Sequence, residues 1–260
     1  MNEHMKHTLS FIIVMMISAV LIILGGTAFG GGLIVFTVVE AGMVIAASGA
    51  AIMTGRRPGE TFALKIPRIR DFFGGLSIYL SALAAQSAAV SLLSLLSDKF
   101  TSADSGVYAR YMGNSPPAAV LFVFCIMPAV CEELLFRGFA VTTLCRMMKS
   151  RTAVVIFTAL IFAAMHFNAY KFVPVFILGA GFGYISVMTG SVVICILFHF
   201  INNALAVAAL YLRNASDSAL SGSGSLPFGS GGSPVYALAA IYAAAAVLLF
   251  FAGRAIFKKK

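Results

Sequence analysis

Long apolar stretches separated by short polar breaks run along the whole chain. Most of them reach the roughly 20 residues that a helix needs to cross a bilayer. Gly, Pro or charge marks nearly every break, as at Ser115-Pro116-Pro117 and Thr189-Gly190. The pattern predicts an all-α polytopic transmembrane helical bundle of about eight spans. The predicted spans are 9–29, 32–53, 72–97, 117–138 (or 117–149 if the helix continues), 153–168, 172–189, 191–212 and 235–257.

Composition excludes a water-soluble globule. The chain is 60% apolar and 10% charged, whereas a soluble domain is about 45–50% apolar and about 25% charged. The net charge of +9 fits the basic loops of a membrane protein better than nucleic-acid binding, so no nucleic acid is expected as a partner. We predict one integral-membrane domain over 1–260, with a flexible Gly/Ser-rich loop at 213–234. Residues 1–29 are expected to be an uncleaved first span rather than a signal peptide, since no clear cleavage site follows.

The basic residues predict an orientation. If the N-terminus is inside, the inner segments carry 13 of the 18 Lys and Arg side chains and the outer segments carry 4. The positive-inside rule then places both termini in the cytoplasm, in what we expect to be a bacterial plasma membrane. The four cysteines show no CxxC spacing and are expected to be small core residues.

Four charged side chains lie neither in loops nor at span ends: Glu40, Glu132, Glu133 and Arg137. Each would cost about 2.5–3.5 kcal/mol at the centre of a membrane helix. Glu133 and Arg137 are four residues apart and can form a salt bridge, whereas Glu132 lies about 100° round the helix and needs a partner from a neighbour. The alternative is a structural charge network that only packs helices together. Glu40 is expected to be a buried, hydrogen-bonded carboxylate without an assigned role.

Two histidines within spans are the candidate partners of Glu132. His199 is followed at the fourth position by Asn203, with Asn202 as the less well aligned alternative, and His166 comes from another span. Glu132 can take a proton from water, while the imidazoles bind a metal or orient the water. Two His and one Glu also form a common catalytic zinc set, and Asn203 can donate to a developing oxyanion. Glu132 and His166 reach the same depth only if the helix from 117 continues to about 149.

Three motifs follow in order, each in an apolar span: Glu132-Glu133-x-x-x-Arg137, Phe162-x-x-x-His166 and His199-x-x-x-Asn203. Together they resemble the signature of the CPBP intramembrane proteases, which comprise the CAAX prenyl endopeptidases and bacteriocin-processing enzymes, also called the Abi family. The run from Glu132 to Gly138 and the Thr189-Gly190-Ser191 segment also resemble the family. The resemblance covers a CPBP-like catalytic core at 117–212.

The resemblance implies an intramembrane metalloendopeptidase that acts on a membrane-associated peptide, either a prenylated CAAX peptide or a bacteriocin-type peptide. It implies that Glu132 activates water with His166 as its partner, and that His199 and Asn203 are a metal ligand or oxyanion support. Glu133 and Arg137 would hold the architecture, and Phe162 would line the pocket. The family is described as metal-dependent, which implies zinc at Glu132, His166 and His199.

The alternative function is a non-catalytic membrane protein for bacteriocin self-immunity or partner binding. This alternative rests on an analogy with family members that have such roles, because a shared fold does not determine function. Ion transport by the buried charges is disfavoured, since the sequence shows no inverted repeat. The expected partners under either reading are the lipid bilayer and a peptide or protein at the membrane.

Overall fold

The computed structural model describes residues 2–27, 32–102, 115–220 and 232–258. Within these ranges the chain is helical and contains no β-strand, which confirms the all-α class. The helices are α1 (Glu3–Thr27), α2 (Leu33–Met53), α3 (Pro58–Thr61), α4 (Ile69–Leu93), α5 (Lys99–Ser102), α6 (Pro117–Met147), α7 (Arg151–Ala164), α8 (Ala169–Thr189), α9 (Val193–Leu220) and α10 (Gly232–Lys258).

Among the described residues, seven helices are long and apolar enough to cross a membrane, one fewer than predicted. The exception is α7, which has 14 residues because it ends at Ala164 instead of continuing to 168. Phe167 then takes a left-handed backbone conformation with φ of 47°. Asn168 starts α8 by accepting a hydrogen bond from the Tyr170 amide at 3.0 Å. The predicted 18-residue span at 172–189 is therefore a helix of 21 residues.

Helix α6 is continuous over 31 residues, as the longer of the two predicted bounds requires. Its central α-helical segment Met127–Glu133 lies between two π-helical segments, Phe122–Ile126 and Leu134–Ala140. Such wide turns are frequent at functional sites. Glu132 is 15 residues from each end of α6, which is about 22 Å at 1.5 Å per residue. It therefore lies at mid-membrane depth.

Small side chains let the outer helices pack closely. Between α4 and α10, Ser77 donates to the Leu249 carbonyl and Ser81 donates to the Ala246 carbonyl, both at 2.7 Å. Serine hydroxyls that bond across helices are a usual means of association in lipid. Helices α2 and α9 contact α6 around Glu132, so the catalytic candidates lie inside the bundle.

One end of the bundle collects the basic segments. Arg56 donates to the hydroxyls of Thr142 (2.6 Å) and Thr143 (2.7 Å) near the end of α6. Ser191, just before α9, donates to the Lys65 carbonyl. Residues Lys6 and Thr54 line one cavity, so the start of α1 lies at this end too. We call it the basic end. The chain returns to it at every second connection, and α5 and the start of α8 lie at the opposite end.

Two sequence expectations need adjustment. Cys125, Cys131 and Cys195 are buried as predicted, but Cys145 is exposed because it lies in the last turns of α6 at the basic end. Helix also extends further into the Gly/Ser-rich segment 213–234 than expected, since α9 continues to Leu220 and α10 begins at Gly232. Residues 221–231 of the predicted loop lie outside the described residues.

Candidate active site

The Glu133–Arg137 pair is fully buried in α6. Arg137 Nη1 lies 2.7 Å from Glu133 Oε1, and the two side chains are 1% and 0% exposed, which confirms the predicted salt bridge. Arg137 Nη2 also donates to the Gly179 carbonyl of α8 at 3.2 Å, and its guanidinium lies 4.2 Å from the Phe162 ring centroid. The charges offset one another, and the pair ties α6 to α7 and α8.

His199 of α9 lies between the two glutamates. Its Nδ1 is 2.8 Å from Glu133 Oε1, and its Nε2 is 3.8 Å from Glu132 Oε2. The ring stacks on Phe182 with centroids 5.7 Å apart. A carboxylate at Nδ1 favours the tautomer with hydrogen on that nitrogen, which leaves the Nε2 lone pair facing Glu132. Glu133 therefore orients an imidazole, a contact that the sequence did not predict.

His166 is held in a matching way at the end of α7. Its Nδ1 lies 2.9 Å from the Phe162 carbonyl oxygen. Donation from Nδ1 to this carbonyl leaves Nε2 as the free nitrogen. The Phe162 ring stands edge-on to both imidazoles, with centroid distances of 5.0 Å to His166 and 6.3 Å to His199. Phe162 thus separates the two histidine rings.

Two cavities meet at Phe162 and His166. The first, which we call the apolar cavity, has a volume of about 250 Å³. The second, which we call the cleft, has a volume of about 690 Å³. The polar groups that line the apolar cavity are Glu40, Glu132 and His166. The cleft contains His166, His199, Asn202 and Asn203 and extends to Phe100, Tyr170 and Lys171.

Asn203 is brought to the cleft together with its neighbour. Asn202 Nδ2 donates to Asn203 Oδ1 at 3.4 Å. This contact occupies the carbonyl oxygen of Asn203 and leaves its amide nitrogen as a donor for a substrate oxygen. Both asparagines therefore line the cleft, rather than only one of the two alternatives considered from the sequence.

Glu132 keeps one oxygen without a hydrogen bond. Its Oε2 is buried and has no hydrogen-bond partner among the described residues. The nearest polar contact, His199 Nε2 at 3.8 Å, is too long for a hydrogen bond. Both atoms are acceptors when the imidazole is neutral, so a donor or a cation between them would satisfy both. Glu132, His166 and His199 are thus gathered around Phe162, with Glu132 reached from the apolar cavity and His199 from the cleft.

The side chains of the predicted zinc set are suitable zinc ligands by type, but they do not come together around one point. A carboxylate and neutral imidazoles whose Nδ1 atoms are held by acceptors are typical zinc donors. Within the described residues, however, no three His, Cys, Asp or Glu side chains lie close enough together to hold a metal ion. Zinc at Glu132, His166 and His199 therefore stays a prediction.

Glu40 is a polar residue that the sequence did not link to the other candidate side chains. It lies in α2 and lines the apolar cavity with Glu132 and His166. The expectation that it is hydrogen-bonded is wrong for Oε2, which is buried without a partner because apolar side chains form most of the wall. Its costly position inside a predicted span was the sequence signal that could have indicated a role. No motif spacing links it to Glu132, since α2 precedes the 117–212 segment that carries the three motifs.

The helices that carry these residues can be compared with known families. Residues 114–205 match the family model "Type II CAAX prenyl endopeptidase Rce1-like". This confirms the family resemblance that the three motifs indicate. The Rce1-like segment contains Glu132, His166, His199 and Asn203, and supports a CAAX-type intramembrane endopeptidase in general terms. The comparisons with curated proteins and with solved structures gave no match. Glu40 lies outside the Rce1-like segment.

Proposed function

We propose that the protein is an intramembrane endopeptidase that hydrolyses a peptide bond with a water activated by Glu132. The observation that carries the proposal is the buried Glu132 Oε2, which lacks a hydrogen bond and faces His199 Nε2 at 3.8 Å. A carboxylate kept unpaired in a membrane helix is costly, and such residues mark functional sites. The Rce1-like segment makes proteolysis the reaction class.

In the proposed reaction, Glu132 removes a proton from water while the water oxygen attacks the carbonyl carbon of the peptide. The carbon–oxygen bond forms, the carbonyl π electrons move onto oxygen, and the Asn203 amide donates to this oxyanion. The carbon–nitrogen bond then breaks as Glu132 returns the proton to the leaving amine. Water is consumed, and one carboxyl and one amine are produced.

His199 contributes through its fixed orientation. Glu133 accepts from Nδ1, and Arg137 in turn pairs with Glu133, so the ring is held with Nε2 toward Glu132. His166 is held by the Phe162 carbonyl in the same sense. A divalent metal bound by Glu132, His166 and His199 would lower the pKa of the water and polarise the substrate carbonyl. The carboxylate and amide roles above do not depend on that metal.

The proposed substrate is a membrane-associated peptide of the prenylated CAAX or bacteriocin type. The cleft of about 690 Å³ connects His199 and Asn203 with Phe100 and Lys171, which gives an extended chain a route to the site. We further propose that the protein resides in a bacterial plasma membrane with the basic end facing the cytoplasm. The argument is the positive-inside rule, because Arg56, Lys65 and Arg146 lie at that end.

Proteolysis by the full-length protein in liposomes tests the function. Wild type, Glu132→Gln and His166→Ala are compared on prenylated CAAX peptides and on bacteriocin-type precursors, with cleavage sites read by mass spectrometry. Removal of a general base is expected to lower the rate about 10²- to 10⁴-fold. Glu60→Gln is the matched control, since Glu60 is an exposed carboxylate at the basic end. Glu132→Gln that cleaves at the wild-type rate would refute the proposal. If Glu132→Gln still protects cells fully against a bacteriocin, the non-catalytic alternative is favoured.

A further inference from the structure

The apolar cavity offers a water few polar partners. Its wall is built from α1, α2, α6 and α7, and Glu40, Glu132 and His166 are its ionisable side chains. Glu40 Oε2 and Glu132 Oε2 are both buried, and neither accepts a hydrogen bond from any described residue. Two carboxyl groups therefore line the same small volume from different helices.

A buried water is stable in such a place only when it has two to four polar partners and room of at least ~10–15 Å³. The cavity volume of about 250 Å³ supplies the room. Glu132 supplies one acceptor, and Glu40 is the side chain that supplies the second from α2. His166 does not donate to either carboxylate, because its Nδ1 is held by Phe162 and its Nε2 is an acceptor in the neutral ring.

From these contacts we infer that Glu40 is a positioning residue that holds the hydrolytic water against Glu132 from across the apolar cavity. The inference rests on the proposed function and adds a residue from outside the Rce1-like segment. The water donates one hydrogen to each carboxyl group, so its oxygen lone pairs point away from both. They point toward the boundary at Phe162 and His166, beyond which a peptide carbonyl in the cleft would lie.

The packing of α1 on α2 fixes Glu40 in this position. A Cβ atom on Gly25 would lie 2.6 Å from Val39 Cγ2, so α2 approaches α1 where a side chain is missing. Val39 directly precedes Glu40. The same two helices supply Ile22, Val35 and Phe36 to the cavity wall. Helices α1 and α2 are therefore part of the reaction site and not only a lipid-facing cover.

Steady-state cleavage by the full-length protein in liposomes tests the inference. Glu40→Leu is expected to lower kcat about 10- to 100-fold, the worth of a hydrogen bond to a charged group. KM is expected to stay constant, since the peptide binds in the cleft. Glu40→Gln keeps an oxygen acceptor and should recover most of the lost kcat. Ser48→Ala is the control, because Ser48 lies in α2 and, among the described residues, its hydroxyl donates to the Val44 carbonyl of its own helix.

The outcomes separate this inference from the proposed function. Should Glu132→Gln be inactive while Glu40→Leu retains the wild-type kcat, the inference fails and the proposed function stands. A rise in KM with unchanged kcat would make Glu40 a substrate contact and would also overturn the inference. If Glu40→Leu does not accumulate in membranes, Glu40→Asp carries the test. The shorter side chain withdraws the carboxylate from the water, so a kcat equal to that of wild type would be decisive against it.

Discussion

Removing one charge of the Glu133–Arg137 pair is expected to destabilise the centre of the bundle. Arg137→Met removes the guanidinium and leaves Glu133, which is 0% exposed, with His199 as its one remaining partner in the described part of the chain. Since solvent cannot reach either group, the stranded carboxylate costs about 3–5 kcal/mol in unfolding free energy. Loss of the bond to the Gly179 carbonyl and of the contact with Phe162 is included in this range.

The double variant Glu133→Gln/Arg137→Met provides the internal check. With both charges removed, no buried ion is left without its counterion, so the double variant should cost less than the sum of the single variants. We expect a coupling energy of about 1–3 kcal/mol. The measurement is equilibrium unfolding by SDS titration in mixed micelles, followed by circular dichroism. Additivity of the two single variants to within about 0.5 kcal/mol would refute the reasoning, because the pair would then not hold α6 as a unit.

Three further predictions follow from other parts of the structure. Gly138→Ala should cost about 1–3 kcal/mol in the same titration, because its Cβ would lie 2.9 Å from the Phe62 backbone, whereas Gly49→Ala meets nothing within 4 Å and should be neutral or stabilising. Chelation should lower the rate of peptide cleavage, and added Zn²⁺ should restore it. Mass spectrometry should find bound zinc in the wild type but not in His199→Ala. Full activity in metal-free protein would contradict the zinc prediction. An impermeant maleimide should label the exposed Cys145 from the cytoplasmic side alone and a cysteine at Lys171 from the other side, and the reverse pattern would invert the orientation.

Sequence periodicity predicted the membrane class and most helix positions because apolar stretches of this length are typical of transmembrane helices. It could not predict that α7 ends at Ala164. That end depends on the left-handed Phe167 and on the Asn168 cap, which are local backbone choices that hydropathy does not register. For the same reason α8 begins at Ala169, three residues before the predicted start.

The motifs predicted the Glu133–Arg137 contact, but not the position of His199. Spacing alone gives the Glu133–Arg137 pair, since helical periodicity fixes it. The position of His199 between Glu132 and Glu133 depends on how α9 packs against α6, which spacing within one helix does not determine. Glu40 was visible as a costly charge in a span, yet its proximity to Glu132 arises from the packing of α2 on α6.

The cleft also bears on where in the cell a peptide can be cut. It extends from His199 toward Phe100, Tyr170 and Lys171, away from the end that holds Arg56 and Arg146. With the proposed orientation, a chain that enters by this route does so from outside the cell. A precursor made in the cytoplasm would then have to be exported before it is cleaved. Maturation would depend on secretion, so of the two proposed substrate types this route favours the bacteriocin-type precursor over a prenylated CAAX tail held in the inner leaflet.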